Sequence, residues 1–172
     1  MELSIPQHIS KIGLYTGKTF LISFVVSIYY NYSIICSFAL LTTYITTMLY
    51  WRKIYKQGII KTLDMLAVLN LIVSFYYTGL PKFSPMCQHA WISSSIAISS
   101  IAYGINAYIF YHQTTNNKWI MKPGCYYYFS LAYTSPNTRE RELCYYYSTL
   151  VHCMFLHVLC NSISIYCAIV WD

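Results

Sequence analysis

From Thr19 to Trp51 the chain runs for 33 residues without an Asp, Glu, Lys or Arg, and most of these residues are Ile, Leu, Val, Phe, Tyr or Ala. About 20 apolar residues cross the hydrocarbon core of a bilayer. A single helix over the whole run would be roughly 50 Å long, well beyond the ~30 Å core. The run is therefore expected to turn back on itself. Tyr29-Tyr30-Asn31-Tyr32-Ser33 is the predicted turn, because Asn and Ser favour turns and Tyr suits the headgroup level. This predicts helices over 12–30, with Lys18 snorkelling, and over 33–51. Later apolar runs predict helices over 62–80, 86–112 and 143–170. They are separated by a basic stretch (Arg52, Lys53, Lys56, Lys61), by Pro81-Lys82-Phe83-Ser84-Pro85, and by a long loop over 113–142. The expectation is an all-α, polytopic transmembrane bundle of about five helices forming one integral membrane domain. A four-helix alternative merges the first two helices and moves Lys11 and Lys18 to the outside.

The basic residues orient the bundle. With the N-terminus inside, Lys11, Lys18, Arg52, Lys53, Lys56, Lys61, Lys118, Lys122, Arg139 and Arg141 share the inner side, and only Lys82 faces out. The positive-inside rule then predicts a cytoplasmic N-terminus and an outside or lumenal C-terminus. Aromatic residues fit the same frame. Trp51, Tyr55, Tyr108, Tyr111 and Tyr145–Tyr147 fall at inner ends, and Tyr29, Tyr30, Tyr76, Tyr77, Trp91 and Trp171 at outer ends. No apolar h-region precedes residue 19, so the first span is expected to be an uncleaved anchor. Gly124–Thr134 is too short to span and is expected to be interfacial or re-entrant.

Composition agrees with this picture. The chain has 172 residues, 57% of them hydrophobic and 9% charged, with a mean hydropathy of +0.43. Roughly 25% charged residues is usual in globular proteins, so a water-soluble domain is excluded. A net charge of +6 without a clustered basic motif excludes a nucleic-acid partner, leaving the lipid bilayer as the implied partner. Tyr, at 20 residues, is joined by abundant Ile, Asn and Phe, all with AT-rich codons. This points to an AT-rich genome such as that of a large DNA virus or a parasite.

Within 86–112, Ala97, Ser100, Gly104 and Ala107 form a small-residue stripe at helical spacing. Such stripes let backbones approach closely. A contact inside the monomer is the main expectation, and homo-oligomerisation through this helix is the alternative.

Few ionisable side chains fall at membrane depth, where they are costly and often functional. Asp64 can act as a first-turn acid beside a Thr62 cap, paired with Arg52 or Lys61. It can also act as a metal ligand or general base. His152 and His157 are five residues apart, so on an α-helix their rings diverge by roughly 140°. Each can bond to a neighbouring helix, or a local π-bulge can bring the two together. Seven Cys occur without CxxC or zinc-finger spacing. Cys153, Cys160 and Cys167 repeat every seven residues and read as packing, with thiolate ligation beside His157 as the alternative. Cys125 and Cys144 on the inner side are palmitoylation candidates. Only Cys87, with Cys36 and Cys167, falls near the outer side, so no disulfide framework is expected. Asn31-Tyr32-Ser33 matches a glycosylation sequon, but in a tight turn at the membrane.

Three patches taken together are Thr46-Thr47-Met48-Leu49-Tyr50-Trp51, Leu63-Asp64, and His152 with His157. In these patches the chain resembles the superfamily of alkaline ceramidases and adiponectin-type receptors, the CREST-like membrane hydrolases. That superfamily has Ser-x-x-x-His ending its second helix, Asp opening its third, and His-x-x-x-His in its last. The resemblance implies Thr46 or Thr47 in the Ser role, Asp64 in the Asp role, and His152 and His157 as zinc ligands. The bound water would attack a lipid amide. This chain departs from the pattern in three ways. Tyr50 or Trp51 stands near the place of the helix-2 His, the final pair is spaced by five rather than four, and five helices replace seven.

Three functional readings follow. The first is a small multi-pass membrane protein with a structural or interaction role. The second is a zinc-dependent hydrolase of a lipid substrate, using Asp64, Thr46, Thr47, His152 and His157. The third is a small transporter or channel subunit with a polar path lined by Asn70, Asn106, His157 and Asn161.

Overall fold

The computed structural model describes residues 5–54, 59–117 and 138–170, and all of its regular structure is helical. Helix α1 spans Gln7–Tyr29, α2 Ile34–Arg52, α3 Ile59–Ser74, α4 Pro85–Asn117 and α5 Thr138–His152. Helix α3 continues through a π segment, Phe75–Gly79, and a 3₁₀ turn, Leu80–Lys82. Helix α5 continues through a second π segment, Cys153–Leu159, into α6, Cys160–Ile169. The described residues thus form five rods, the last built from α5, the π segment and α6. The expectation of an all-α membrane bundle is borne out. Among the described residues, Gln7–Tyr29, Ile34–Arg52, Ile59–Lys82 and Glu142–Ile169 are long and apolar enough to cross a membrane. The serine-rich α4 is long enough, at 33 residues, but falls outside that set.

Several boundaries move from the sequence expectation. The first helix starts five residues early, directly after Pro6, whose fixed φ suits a helix entry. The third has begun by Ile59, which removes Asp64 from the first turn. The last resumes at Thr138 rather than 143. Residues 124–134 lie outside the described residues, as do Cys125 and most of the expected 113–142 loop.

The tyrosine cluster is the hairpin. Asn31 adopts a left-handed φ of 47°, a conformation that Asn tolerates better than most residues. Ser33 then caps α2 by accepting from the Cys36 amide at 3.4 Å. Two hydrophobic clusters define the two ends of the antiparallel bundle. One joins Ile5, Ile9, Trp51, Ile54, Cys144, Tyr145 and Cys153. The other joins Tyr32, Cys36, Phe75, Leu80, Phe83, Cys167 and Ala168, with Cys87 and Trp91 packed against them. Lys82 belongs to the second end, where its amine donates to the Tyr32 carbonyl. Lys18 stays exposed on α1 with its amine 5.4 Å from the Tyr15 ring centroid.

Helix α1 is the central rod, flanked by α2 and by the last rod. Helix α3 packs outside α2, and α4 packs on the last rod. Hydroxyl and small residues on α1 make this possible: Ser10, Gly13, Thr16, Gly17, Ser23 and Ser27 are all buried. Helix α3 is the opposite case, burying only Ala67 between Ile59 and Ser74. Its exposed Leu63, Leu66, Leu69, Ile72 and Val73 suit lipid contact.

The expected stripe on α4 faces away from the other helices. Ala97, Ser100 and Gly104 are exposed, and a Cβ added at Gly104 would meet nothing within 4 Å. The last rod takes a different face of α4. There Trp91 Nε1 donates to Ser164 Oγ at 3.0 Å, and Asn106 Oδ1 accepts from Ser148 Oγ at 2.7 Å.

Candidate functional site

Of the residues singled out in the sequence, His152 and His157 meet at Trp51, which is 1% exposed at the end of α2, while Asp64 is held separately by threonines of the same helix. One side is built from α2 and α3. Thr46 and Thr47 both donate to Asp64 Oδ1, at 3.1 and 2.9 Å. Thr43, one turn earlier, donates to the Ala67 carbonyl at 3.2 Å. Consecutive hydroxyls on α2 thereby hold a carboxylate that would otherwise be stranded at membrane depth. Among the described residues, Asp64 bonds to these threonines and not to Arg52, Lys61 or either histidine.

The other side is built from α1 and the last rod. In the π segment Cys153–Leu159, residues five apart fall on nearly one face. The rings of His152 and His157 accordingly meet edge to face, with centroids 5.1 Å apart. Their expected α-helical divergence is removed by this one wide turn. Trp51 completes the cluster, its ring centroid 5.8 Å from that of His152 and 5.9 Å from that of His157. Phe20 stands 5.3 Å from His157 on the α1 side.

His157 is fixed by α1. Its Nδ1 lies 3.0 Å from Thr16 Oγ1, which also lies 2.9 Å from the Ile12 carbonyl. A threonine hydroxyl has one proton. With that proton on the Ile12 carbonyl, Nδ1 of His157 is the donor and Nε2 holds the lone pair. The π segment also frees its backbone for outside bonds. The His157 carbonyl accepts from Thr19 Oγ1 at 2.9 Å and from Asn161 Nδ2 at 2.6 Å. Asn161 Oδ1 in turn accepts from Ser23 Oγ at 2.8 Å. Among the described residues His152 makes ring contacts but no hydrogen bond.

Zinc sites take three or four N, O or S ligands. Two imidazoles are adjacent here, but the third place beside them is filled by an indole, which carries an N–H donor and no lone pair. Asp64 is engaged on its threonines. Among the described residues, no group of three or more His, Cys, Asp or Glu side chains is arranged to hold a metal ion. Around the histidine pair the described residues thus supply two imidazoles and an indole. The residues named for a transporter path are also dispersed. Asn70 is exposed on α3, while His157 and Asn161 are buried between α1 and the last rod.

Sequence reading missed the surface that closes this site. A Cβ built on Gly13 would fall 1.9 Å from Trp51 Cδ2, and one on Gly17 would fall 3.0 Å from Thr47 Cγ2. Gly13-x-x-x-Gly17 is the spacing by which membrane helices approach closely, and that signal stood in the sequence. It presses α1 onto the two α2 residues that separately touch the His pair and Asp64. Comparison with family models, with curated proteins and with solved structures finds no match.

Proposed function

We propose that this protein works as a structural or interaction component of a membrane, with its polar residues serving helix-to-helix cohesion. One observation carries this reading. Residues suited to chemistry are spent on neighbouring helices: Asp64 on Thr46 and Thr47, and His157 on Thr16. Interhelical hydrogen bonds of this kind hold membrane bundles together where apolar packing gains little over lipid. The basic residues of the Trp51 end, Arg52 and Lys53 among them, support a cytoplasmic placement of that end. The uncovered Ala97, Ser100 and Gly104 face of α4 supports self-association through that helix.

Elemental analysis of the detergent-purified protein tests the reading. Substoichiometric zinc after passage over a chelator is the expected result. One zinc per chain that survives the chelator and disappears in His157→Ala would overturn it.

A second reading, hydrolysis of a lipid amide, draws on the adjacency of His152 and His157 and on the bond between Thr47 and Asp64. Release of fatty acid from a ceramide by the purified chain, lost in Asp64→Asn, would favour it over the first.

A further inference from the structure

We propose that the cleft between the last turn of α2 and the first turn of α3 holds an anionic glycerophospholipid of the surrounding bilayer. Its walls are Leu49, Arg52, Lys53 and Ile60, and its volume is about 260 Å³. Arg52 is the last residue of α2, and Lys53 leaves the helix with an extended φ of −151°. Both are exposed. Among the described residues, neither side chain has an ion-pair or hydrogen-bond partner. The one acid on these two helices, Asp64, lies one turn beyond Ile60, and its Oδ1 accepts from Thr46 and Thr47. Two uncompensated cations thus stand beside two apolar walls. An amphiphile with an anionic head matches that arrangement. Basic pockets between membrane helices hold anionic lipid head groups in this way, and a guanidinium can grip a phosphate with two parallel hydrogen bonds.

The cleft is preformed, because bonds just beyond it fix the spacing of its two helices. Thr46 and Thr47 clasp Asp64, and Thr43 clasps the Ala67 carbonyl, one and two turns past Ile60. A site that need not be assembled on binding loses less affinity to ordering. The cleft also leads onto a track for an acyl chain. Leu49, Ile45, Thr42 and Phe38 recur every three or four residues and so share one face of α2. All four are exposed. Thr42 donates back to the Phe38 carbonyl at 2.9 Å, which satisfies its hydroxyl within the helix. From Arg52 to Phe38 this face runs for roughly 21 Å, with the charge at one end and hydrocarbon along the rest.

The inference deepens the reading above by naming a lipid partner, and it rests on that reading only in taking α2 and α3 as embedded in a bilayer. The zinc measurement that tests that reading is independent of the lipid measurements below.

Full-length protein in nonionic detergent, mixed with phosphatidylglycerol or phosphatidylcholine of the same acyl chains, tests the proposal, with bound lipid counted by native mass spectrometry. Phosphatidylglycerol should be retained with about a tenfold preference, as two surface cations predict. Arg52→Gln with Lys53→Gln should bring the two lipids close to parity. Lys11→Gln with Lys18→Gln removes the same charge from the exposed side of α1 and should keep the preference. No preference in the unaltered protein, or an equal loss in both double variants, would overturn the proposal. Inorganic phosphate at millimolar concentration should leave the lipid in place; displacement by phosphate would mark a free-anion site and overturn it too. The unaltered protein gives a second reading that does not depend on variants folding. Phosphatidylglycerol with a photoactivatable diazirine in its acyl chain should label the peptide that carries Phe38, Ile45 and Leu49, and labelling confined to other helices would refute the site.

Discussion

The Trp51 indole lies directly against Gly13, so closely that a β-carbon on the glycine would coincide with the ring. Gly13→Ala should therefore lower the melting temperature of the detergent-solubilised bundle. Overpacking of this kind costs about 1–3 kcal/mol. Trp51→Leu should recover part of the loss in the double variant, because it vacates the space that the new methyl needs. A double variant no more stable than Gly13→Ala alone would show that the contact is not the cause.

The carboxylate of Asp64 depends on two hydroxyls from α2. Thr46→Val with Thr47→Val should destabilise the bundle by about 1–3 kcal/mol, the usual cost of leaving a buried polar group unsatisfied. Asp64→Asn keeps an acceptor for both threonines and should cost less. Chemical denaturation in mixed micelles measures both. Equal losses would mean that the negative charge itself, not the acceptor, is what the threonines serve.

Asn161 joins α6 to Ser23 and Thr19 of α1 and to the His157 carbonyl. Interhelical bonds in membrane proteins average about 0.6 kcal/mol each, so Asn161→Leu should cost about 1–2 kcal/mol. Faster proteolysis of the detergent-solubilised variant is the expected readout. Ser164→Ala removes one bond between rods, that from Trp91, with the local bond of Ser164 Oγ to the Cys160 carbonyl, and should have a smaller effect.

The π segment Cys153–Leu159 sets the meeting of His152 with His157. Deleting Phe155 should convert the segment to α-helix and leave four residues' spacing between the rings, keeping them on one face. Inserting one alanine after Phe155 should separate them. Paramagnetic broadening of the two imidazole signals by added Cu²⁺ should persist in the deletion and become unequal in the insertion.

The hairpin, the number of rods and their antiparallel order were legible in the sequence. Hydrocarbon thickness caps rod length, and Asn31 marks the only polar turn in the long apolar run. The contact of Thr46 and Thr47 with Asp64 was not legible, since hydrogen-bond partners from separate helices leave no local trace. The small residues of α1 were readable in Gly13-x-x-x-Gly17, but the spacing alone does not say which helix sits against them, and the contacts with Trp51 and Thr47 do. The direction of the α4 stripe was not readable. Small residues permit a close approach on either side, and the bonds of Trp91 and Asn106 to the last rod decide which face is used.

A π turn is one residue more than the α-helix around it needs. If it arose by insertion, counting along the chain misplaces everything beyond it. His157 would then correspond to a position four, not five, after His152 in any ancestral helix lacking the insertion. An alignment that refuses a one-residue gap between these histidines would set each later residue of this rod, Asn161 and Cys167 included, beside the wrong counterpart.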